Sequence, residues 1–313
     1  MLIATLPAVH EEELLRRIIA HPAIGGVRYN VGVASAFSPL NTLRQIQALT
    51  SHYGKKLWID LKGRQLRIVR WAAPRYGEIV LNHSLEVDVP ATVIFRGNER
   101  STIKVVKDRT IYIDPPPVHA VGQGQAINVH GDNLVIHGYL TDDDKDYIRA
   151  GVELGIYDFM LSFVESREDI NEVQQFLFSC KDMDEDKMAK VEFGLKIETN
   201  KGLDFVQSNP ALPSRSFLVV ARDDFFTNVG ENKFQMIKAI RQMQAFDAEV
   251  VLASLIFQGL ELQGSLTMGD ISDLYLMQQM GFQHFMLSDG LCGRHFDQAM
   301  QAWNQFMSVG SWK

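Results

Sequence analysis

Eight short apolar runs, most of them followed by a helical pattern, constrain this 313-residue chain more than any other feature. They are "LIATL" (2–6), "GVRYNV" (26–31), "KLWIDL" (56–61), "YDFMLSFV" (157–164), "EFGLKIE" (192–198), "SFLVVAR" (216–222), "AEVVLAS" (248–254) and "FQHFMLS" (282–288). Amphipathic stretches such as "EEELLRRIIAH" and "PLNTLRQIQALTSHY" stand between them. Runs rich in Val, Ile, Leu and Phe fit parallel strands buried on both faces. Eight strand-then-helix units predict an α/β fold, a (β/α)8 TIM barrel, with a doubly wound open sheet as the alternative.

The rhythm breaks between about residues 68 and 134, where "GEIVLNHSLEVDV", "TIKVV" and "TIYID" read as β-strands and "PPP" and "VGQGQ" as turns. The break predicts a small all-β lid domain, 68–134, inserted after barrel strand 3, with 1–67 and 135–313 left to the barrel. An insertion on a βα loop would sit over the barrel mouth. The helix pattern resumes at "TDDDKDYIRAGVELG", with Thr141 as its N-cap and acidic residues suited to the helix dipole.

Composition narrows the partners. A formal net charge of −7 argues against a general nucleic-acid or anionic-membrane binder. The two cysteines, Cys180 and Cys292, lack metal-site spacing and read as reduced thiols. No run reaches the ~18 apolar residues that span a bilayer. The N-terminus has no basic lead and reads as a buried strand rather than a signal peptide, so the expectation is a cytoplasmic protein.

Barrels place reactive groups at the C-terminal ends of their strands. Those ends are polar here: Arg28 and Asn30, Asp60 and Lys62, Ser162, Lys196 and Glu198, Arg222 and Asp224, Ser254, and Ser288. Glu198 and Asp224 end consecutive strands, and a pair of oxygen ligands suits Mg2+ or Mn2+. The alternative is a carboxylate pair neutralised by Lys196 and Arg222. Lys196, two residues before Glu198 and on the same strand face, could contact a phosphoryl or enolate oxygen. A Schiff-base role would need a neutral amine, and the nearby carboxylates favour the ammonium form. Arg28 and Arg67 offer rigid forks for phosphate or carboxylate, although Arg67 could equally be a surface ion pair. Ser254 and Ser288 could relay protons or hold a substrate carboxylate. The acidic "DMDEDK" reads as a solvated loop, and "GQGQ" lacks the context of a phosphate loop.

These residues resemble those of the pyruvate kinase family, in order along nearly the whole chain. "VRYNVG" resembles its second-strand arginine–asparagine motif, and "DLKGRQLR" its Asp-Thr-Lys-Gly-Pro-Glu-Ile-Arg motif. "GLKIETNKG" is similar to Lys-Ile-Glu-Asn, "VVARDDF" to Ala-Arg-Gly-Asp-Leu, and "FMLSDG" to the last strand with its Ser-Gly-Glu. "LASLIFQGL" and "LTMGDISD" take the places of Ala-Thr-Gln-Met-Leu and Thr-Arg-Ala-Glu-Val-Ser-Asp.

The resemblance implies a phosphoenolpyruvate site with Lys196, Arg28, Ser254 and Ser288 as catalytic residues. It implies substrate contacts from Arg67, Arg222, Asp223 and Lys62, and a divalent metal on Glu198 and Asp224. A K+ site is implied in part: Asn30 and Asp60 remain, while Gly32 and Leu61 replace a serine and a threonine. The nucleotide side departs from the family: its serine–histidine is Gly32 and Val33, its last-strand glutamate is Gly290, and the following lysine is missing. Gln125 stands where the lid often has a lysine, and Asp223 replaces a glycine whose backbone contacts the substrate carboxylate. The resemblance stops soon after the eighth barrel helix, so the expectation is a chain that lacks the family's C-terminal regulatory domain.

Three functions are expected in descending order. The first is a metal-dependent pyruvate kinase-like enzyme that stabilises the enolate of phosphoenolpyruvate or pyruvate and transfers a phosphoryl group. The second is a lyase, aldolase or decarboxylase acting on a 2-oxo acid. The third is a metabolite-binding pseudoenzyme. ADP as acceptor and a homo-oligomeric state are left open.

Overall fold

The computed structural model describes residues 1–309 except 34, 71–76, 96–98, 120, 210 and 230–231. The chain divides into two compact units, Met1–Leu61 with Lys145–Lys313, and Lys62–Asp144. In chain order β1 (Leu2–Thr5), β2 (Ile24–Asn30) and β3 (Lys56–Leu61) come first. The second unit holds β4 (Glu78–Val80), β5 (Leu85–Glu86), β6 (Ala91–Ile94), β7 (Arg100–Lys107), β8 (Thr110–Asp114), β9 (Asn128–His130) and β10 (Val135–Ile136). Next come β11 (Asp158–Leu161), β12 (Glu192–Ile197), β13 (Ser216–Ala221), β14 (Val251–Ala253) and β15 (His284–Leu287).

The helices are α1 (Glu12–Ala20), α2 (Pro39–His52), α3 (Asp142–Leu154), α4 (Arg167–Ser179), α5 (Glu185–Met188) and α6 (Asn200–Ser208). They continue with α7 (Arg222–Asn228), α8 (Gln235–Phe246), α9 (Gln258–Gln263), α10 (Met268–Gln279) and α11 (Asp289–Ser308). No helix among the described residues is long and apolar enough to cross a membrane.

Each of the eight apolar runs overlaps a barrel strand. Around the closed ring the order is β1, β2, β3, β11, β12, β13, β14, β15, and each neighbour pairs in parallel. This is the expected (β/α)8 barrel, and the all-β insertion follows its third strand. The barrel is filled by Trp58 and by Ile3, Met160, Val219, Val251 and Met286. Trp58 meets Phe217 edge to face, with ring centroids 6.3 Å apart. Gly26 makes room for the indole, since a Cβ there would lie 2.4 Å from the Trp58 ring. Gly26→Ala is therefore expected to overpack the barrel and cost about 1–3 kcal/mol, read as a lower urea midpoint at unchanged slope.

The second unit has a five-stranded antiparallel sheet, in the order β4-β8-β7-β6-β9, and a β5–β10 pair. Ile79, Leu81, Val93, Ile103, Ile111 and Ile127 are among the buried side chains of its own core. Its two ends are clasped by Asp144. One carboxylate oxygen accepts from the Lys62 amide at 2.7 Å, and the other from the Gly63 amide at 3.2 Å and the Thr141 hydroxyl at 2.8 Å. Thr141 caps α3 as expected, accepting the Asp144 amide at 3.1 Å. Burial pushes the Asp144 carboxyl above its ordinary range, against the pull of these amides.

Candidate active site

A buried charge network occupies the C-terminal ends of β2, β3 and β12. Lys196, on β12, donates to the Ser162 hydroxyl at 2.7 Å and lies 3.1 Å from Glu198 and 3.5 Å from Asp60. Asp60, on β3, accepts from Arg28 Nε at 2.6 Å, and Arg28 also reaches the Thr5 hydroxyl at 3.1 Å. Burial opposes the charge on Lys196, but Asp60 and Glu198 outweigh it and hold the ammonium above its ordinary pKa. Arg28 is likewise raised by Asp60 against burial, and Asp60 is lowered by Arg28 and Lys196 against burial. Lys196 is thus a fixed cation rather than a free amine.

Glu198 completes this network just beyond the end of β12. It is fully buried, and its Oε2 accepts from the Phe163 amide at 2.6 Å. Phe163 presents that amide from a left-handed backbone, φ +54°. Oε1 accepts no hydrogen bond and has the Lys196 ammonium 3.1 Å away. Burial pushes the Glu198 carboxyl up to about 8; Asp224 adds to the rise, and Lys196 opposes it.

Beside the network lies a cavity of about 340 Å³, lined by Arg28, Lys196, Asp223, Asp224, Ser254 and Ser288, among others. It draws these residues from five of the eight barrel strand ends. Asp223 and Asp224 stand in the first turn of α7, where the amide ends of a helix favour carboxylates. Burial raises the Asp223 carboxyl, and Asp224 and then Glu261 raise it further. Ser254, Leu255 and Phe257 all adopt left-handed backbone, with φ of +64°, +60° and +56°. Each costs about 1–2 kcal/mol for a residue with a Cβ. Asp270 holds the segment beyond them, accepting from the Gly259 and Leu260 amides at 2.7 and 3.1 Å.

Other anticipated residues have hydrogen-bond partners of their own. Arg222 is bidentate to Asp273, at 2.7 and 2.9 Å, and also donates to the Ser254 carbonyl. Its guanidinium therefore braces the strand end. Asn30 accepts from the Gly32 amide at 2.8 Å. In the second unit Lys62 pairs with Asp143, and Arg67 donates to the Gly124 carbonyl at 2.7 Å and to Gln65.

Three polar residues of the cavity lining escaped the sequence reading: Gln258, Glu261 and Asp289. Glu261 sits on α9 in what reads as an ordinary exposed helix, and only the fold turns it inward. A larger groove of about 420 Å³, lined by Leu266, Ile271, Tyr275 and Phe306 among others, offers no charged group for chemistry. Among the described residues, no group of three or more His, Cys, Asp or Glu side chains is arranged to hold a metal ion.

Comparison with known proteins gives the same family as the motifs. The chain is 23% identical over 292 residues to the pyruvate kinase of Thermoplasma acidophilum, covering 87% of this chain and 51% of that protein. It is a distant homologue of the pyruvate kinases. The Staphylococcus epidermidis (strain RP62A) pyruvate kinase is 24% identical over 180 residues, 56% of this chain and 29% of that one. The chain thus spans about half the length of the first relative and less of the second.

Among solved structures, a Cryptosporidium parvum pyruvate kinase superimposes with a TM-score of 0.69 at 16% identity, covering 93% of this chain and 66% of that one. The Pyrobaculum aerophilum pyruvate kinase gives 0.66 at 16% identity, covering 96% and 71%. These likenesses establish the pyruvate kinase fold. No family model matches the chain.

Proposed function

We propose that this chain is a divalent-metal-dependent enzyme that binds phosphoenolpyruvate or a pyruvate-like 2-oxo acid and stabilises its enolate. The observation that carries the reading is Lys196, a buried ammonium kept charged chiefly by Asp60 at the wall of a cavity. A preorganised cation is worth most where negative charge develops on an oxygen and water is excluded. Arg28, fixed by Asp60, adds a second cation for a carboxylate or phosphoryl oxygen.

The donor set suits Mg2+ or Mn2+. Glu198 Oε1 is a buried carboxyl oxygen that accepts no hydrogen bond and lies 3.1 Å from the Lys196 ammonium, and Asp224 lines the adjoining cavity. Hard divalent cations take such oxygens and complete their shell with water and substrate. Held by Glu198 and Asp224, the ion would polarise substrate oxygens as a Lewis acid. The residues do the rest: Lys196 and Arg28 orient the anion, Ser254 presents a hydroxyl to it, and Ser288 borders it with its own proton donated to Glu261. Asp60 and Asn30 are both engaged in hydrogen bonds, so we leave K+ out of the proposed function.

Phosphoryl transfer is the leading form of the reaction, supported by the relatives' names. Incubation with Mg2+ and phosphoenolpyruvate, with and without ADP, is expected to release pyruvate. No release under either condition, with no Mg2+-dependent binding of oxalate, would sink the reading. A second form is favoured by the cavity's charge. Among the described residues lining the cavity, Asp223, Asp224, Glu261 and Asp289 stand with two cations, Arg28 and Lys196, both already paired with carboxylates, while Arg294 pairs with Glu261 from outside the lining. Such a wall disfavours a multiply charged phosphate ester and suits a singly charged 2-oxo acid, as in a lyase or decarboxylase. Oxaloacetate cleavage without nucleotide separates the two.

A further inference from the structure

Glu261 has a chemical setting of its own within this cavity. Its Oε2 accepts the Ser288 hydroxyl proton at 2.6 Å, and its Oε1 accepts from Arg294 at 3.0 Å. Gly290 makes this arrangement possible, because a Cβ there would stand 2.0 Å from Oε1. Ser288 in turn accepts from the Leu291 amide at 3.1 Å, which fixes the hydroxyl at the start of α11. A serine hydroxyl has one proton to give. In Ser288 that proton is committed to Glu261, so the oxygen offers the cavity a lone pair. A serine held this way takes a proton from substrate rather than giving one.

We propose that Ser288 and Glu261 form a proton-transfer pair that enolises a 2-oxo acid bound in the cavity, with Glu261 as the final proton acceptor. The proposal rests on the enolate reading above. In the step, the C3–H bond of the 2-oxo acid breaks and its proton passes to Ser288 Oγ. The original Ser288 proton passes to Glu261 Oε2, and the C–H electron pair becomes the enolate. Lys196 supplies the facing positive charge. Reversal returns a proton to carbon, and exchange of the Glu261 proton with water makes the cycle visible as solvent exchange. Glu261 acts through Ser288, so it is a positioning residue; Ser288 touches the substrate. Arg294 is ion-paired with Glu261, Asp223 feels its charge, and Asp224 and Asp289 share the same cavity lining.

Pyruvate in D2O with Mg2+, followed by proton NMR, reads the step directly. The wild-type protein is expected to exchange the methyl protons. Glu261→Gln keeps an acceptor for Ser288 but not a base, and is expected to lower kcat for exchange about 100-fold or more at unchanged KM. Gly290→Ala displaces the carboxylate without removing it and is expected to slow exchange at least about tenfold on the same ground. Wild-type exchange rates in Glu261→Gln, or a loss that lies wholly in KM, would overturn the pair. Wild-type protein that binds oxalate with Mg2+ yet exchanges nothing overturns the pair alone. Failure of both binding and exchange removes the enolate reading with it.

Discussion

Lys196→Met is expected to lower the rate of pyruvate proton exchange, or of pyruvate release, about 100- to 1000-fold, the usual effect of removing one preorganised charge. The same change should destabilise the protein by about 3 kcal/mol, at the lower end for breaking a buried ion pair. The lower end applies because the partners can adapt. Asp60 keeps Arg28, and Glu198 can remain protonated. Rates and urea midpoints measured together separate the two roles. Lost stability with retained rate would leave Lys196 a structural residue and remove it from the site.

The second large effect concerns pH. Burial pushes the Glu198 carboxyl up to about 8, so a cation binding there must displace a proton. Mn2+ affinity is therefore expected to rise about tenfold per pH unit up to about 8 and then level off. Titration calorimetry in two buffers of different ionisation enthalpy would also reveal the released proton. Stability of the metal-free protein should move the opposite way. The unfolded carboxyl ionises near 4.5 while the folded one stays protonated to about 8, so the folded state binds more protons between them. Stability falls as pH rises through that window and levels off above it. Glu198→Gln should abolish the metal slope and reduce the stability slope, the remainder coming from other buried carboxyls such as Asp144 and Asp223; persistence of the metal slope in that variant would place the cation elsewhere.

Much of this site was legible because a barrel converts sequence position into spatial position. Lys196 and Glu198 are two residues apart at a strand end, and the fold brings them to 3.1 Å. Arg28 and Asp60 end neighbouring strands and pair directly. What was illegible depends on contacts without sequence periodicity. Arg222 has a strand-end position like the others, but its orientation is decided by Asp273, 51 residues away. Glu261 enters the cavity through Ser288, 27 residues on, and through the missing side chain of Gly290. The left-handed run at Ser254, Leu255 and Phe257 carries no glycine to announce it. Its conformation is sustained by the surrounding packing rather than by local preference.

The Asp144 clasp has a consequence for how the chain folds. β3 must find β11 along a chain interrupted by the whole unit Lys62–Asp144. Closing a long flexible loop costs entropy that rises only slowly with its length, about 0.6 kcal/mol per doubling. The larger obstacle is kinetic, since pairing between distant segments slows folding. Asp144 bonds the Lys62 and Gly63 amides at one end of the excursion and Thr141 at the other. Once that clasp forms, the barrel searches for its fourth strand as though the excursion were a short connection. An insertion that ties its own ends can be carried by a barrel without delaying the closure of the ring.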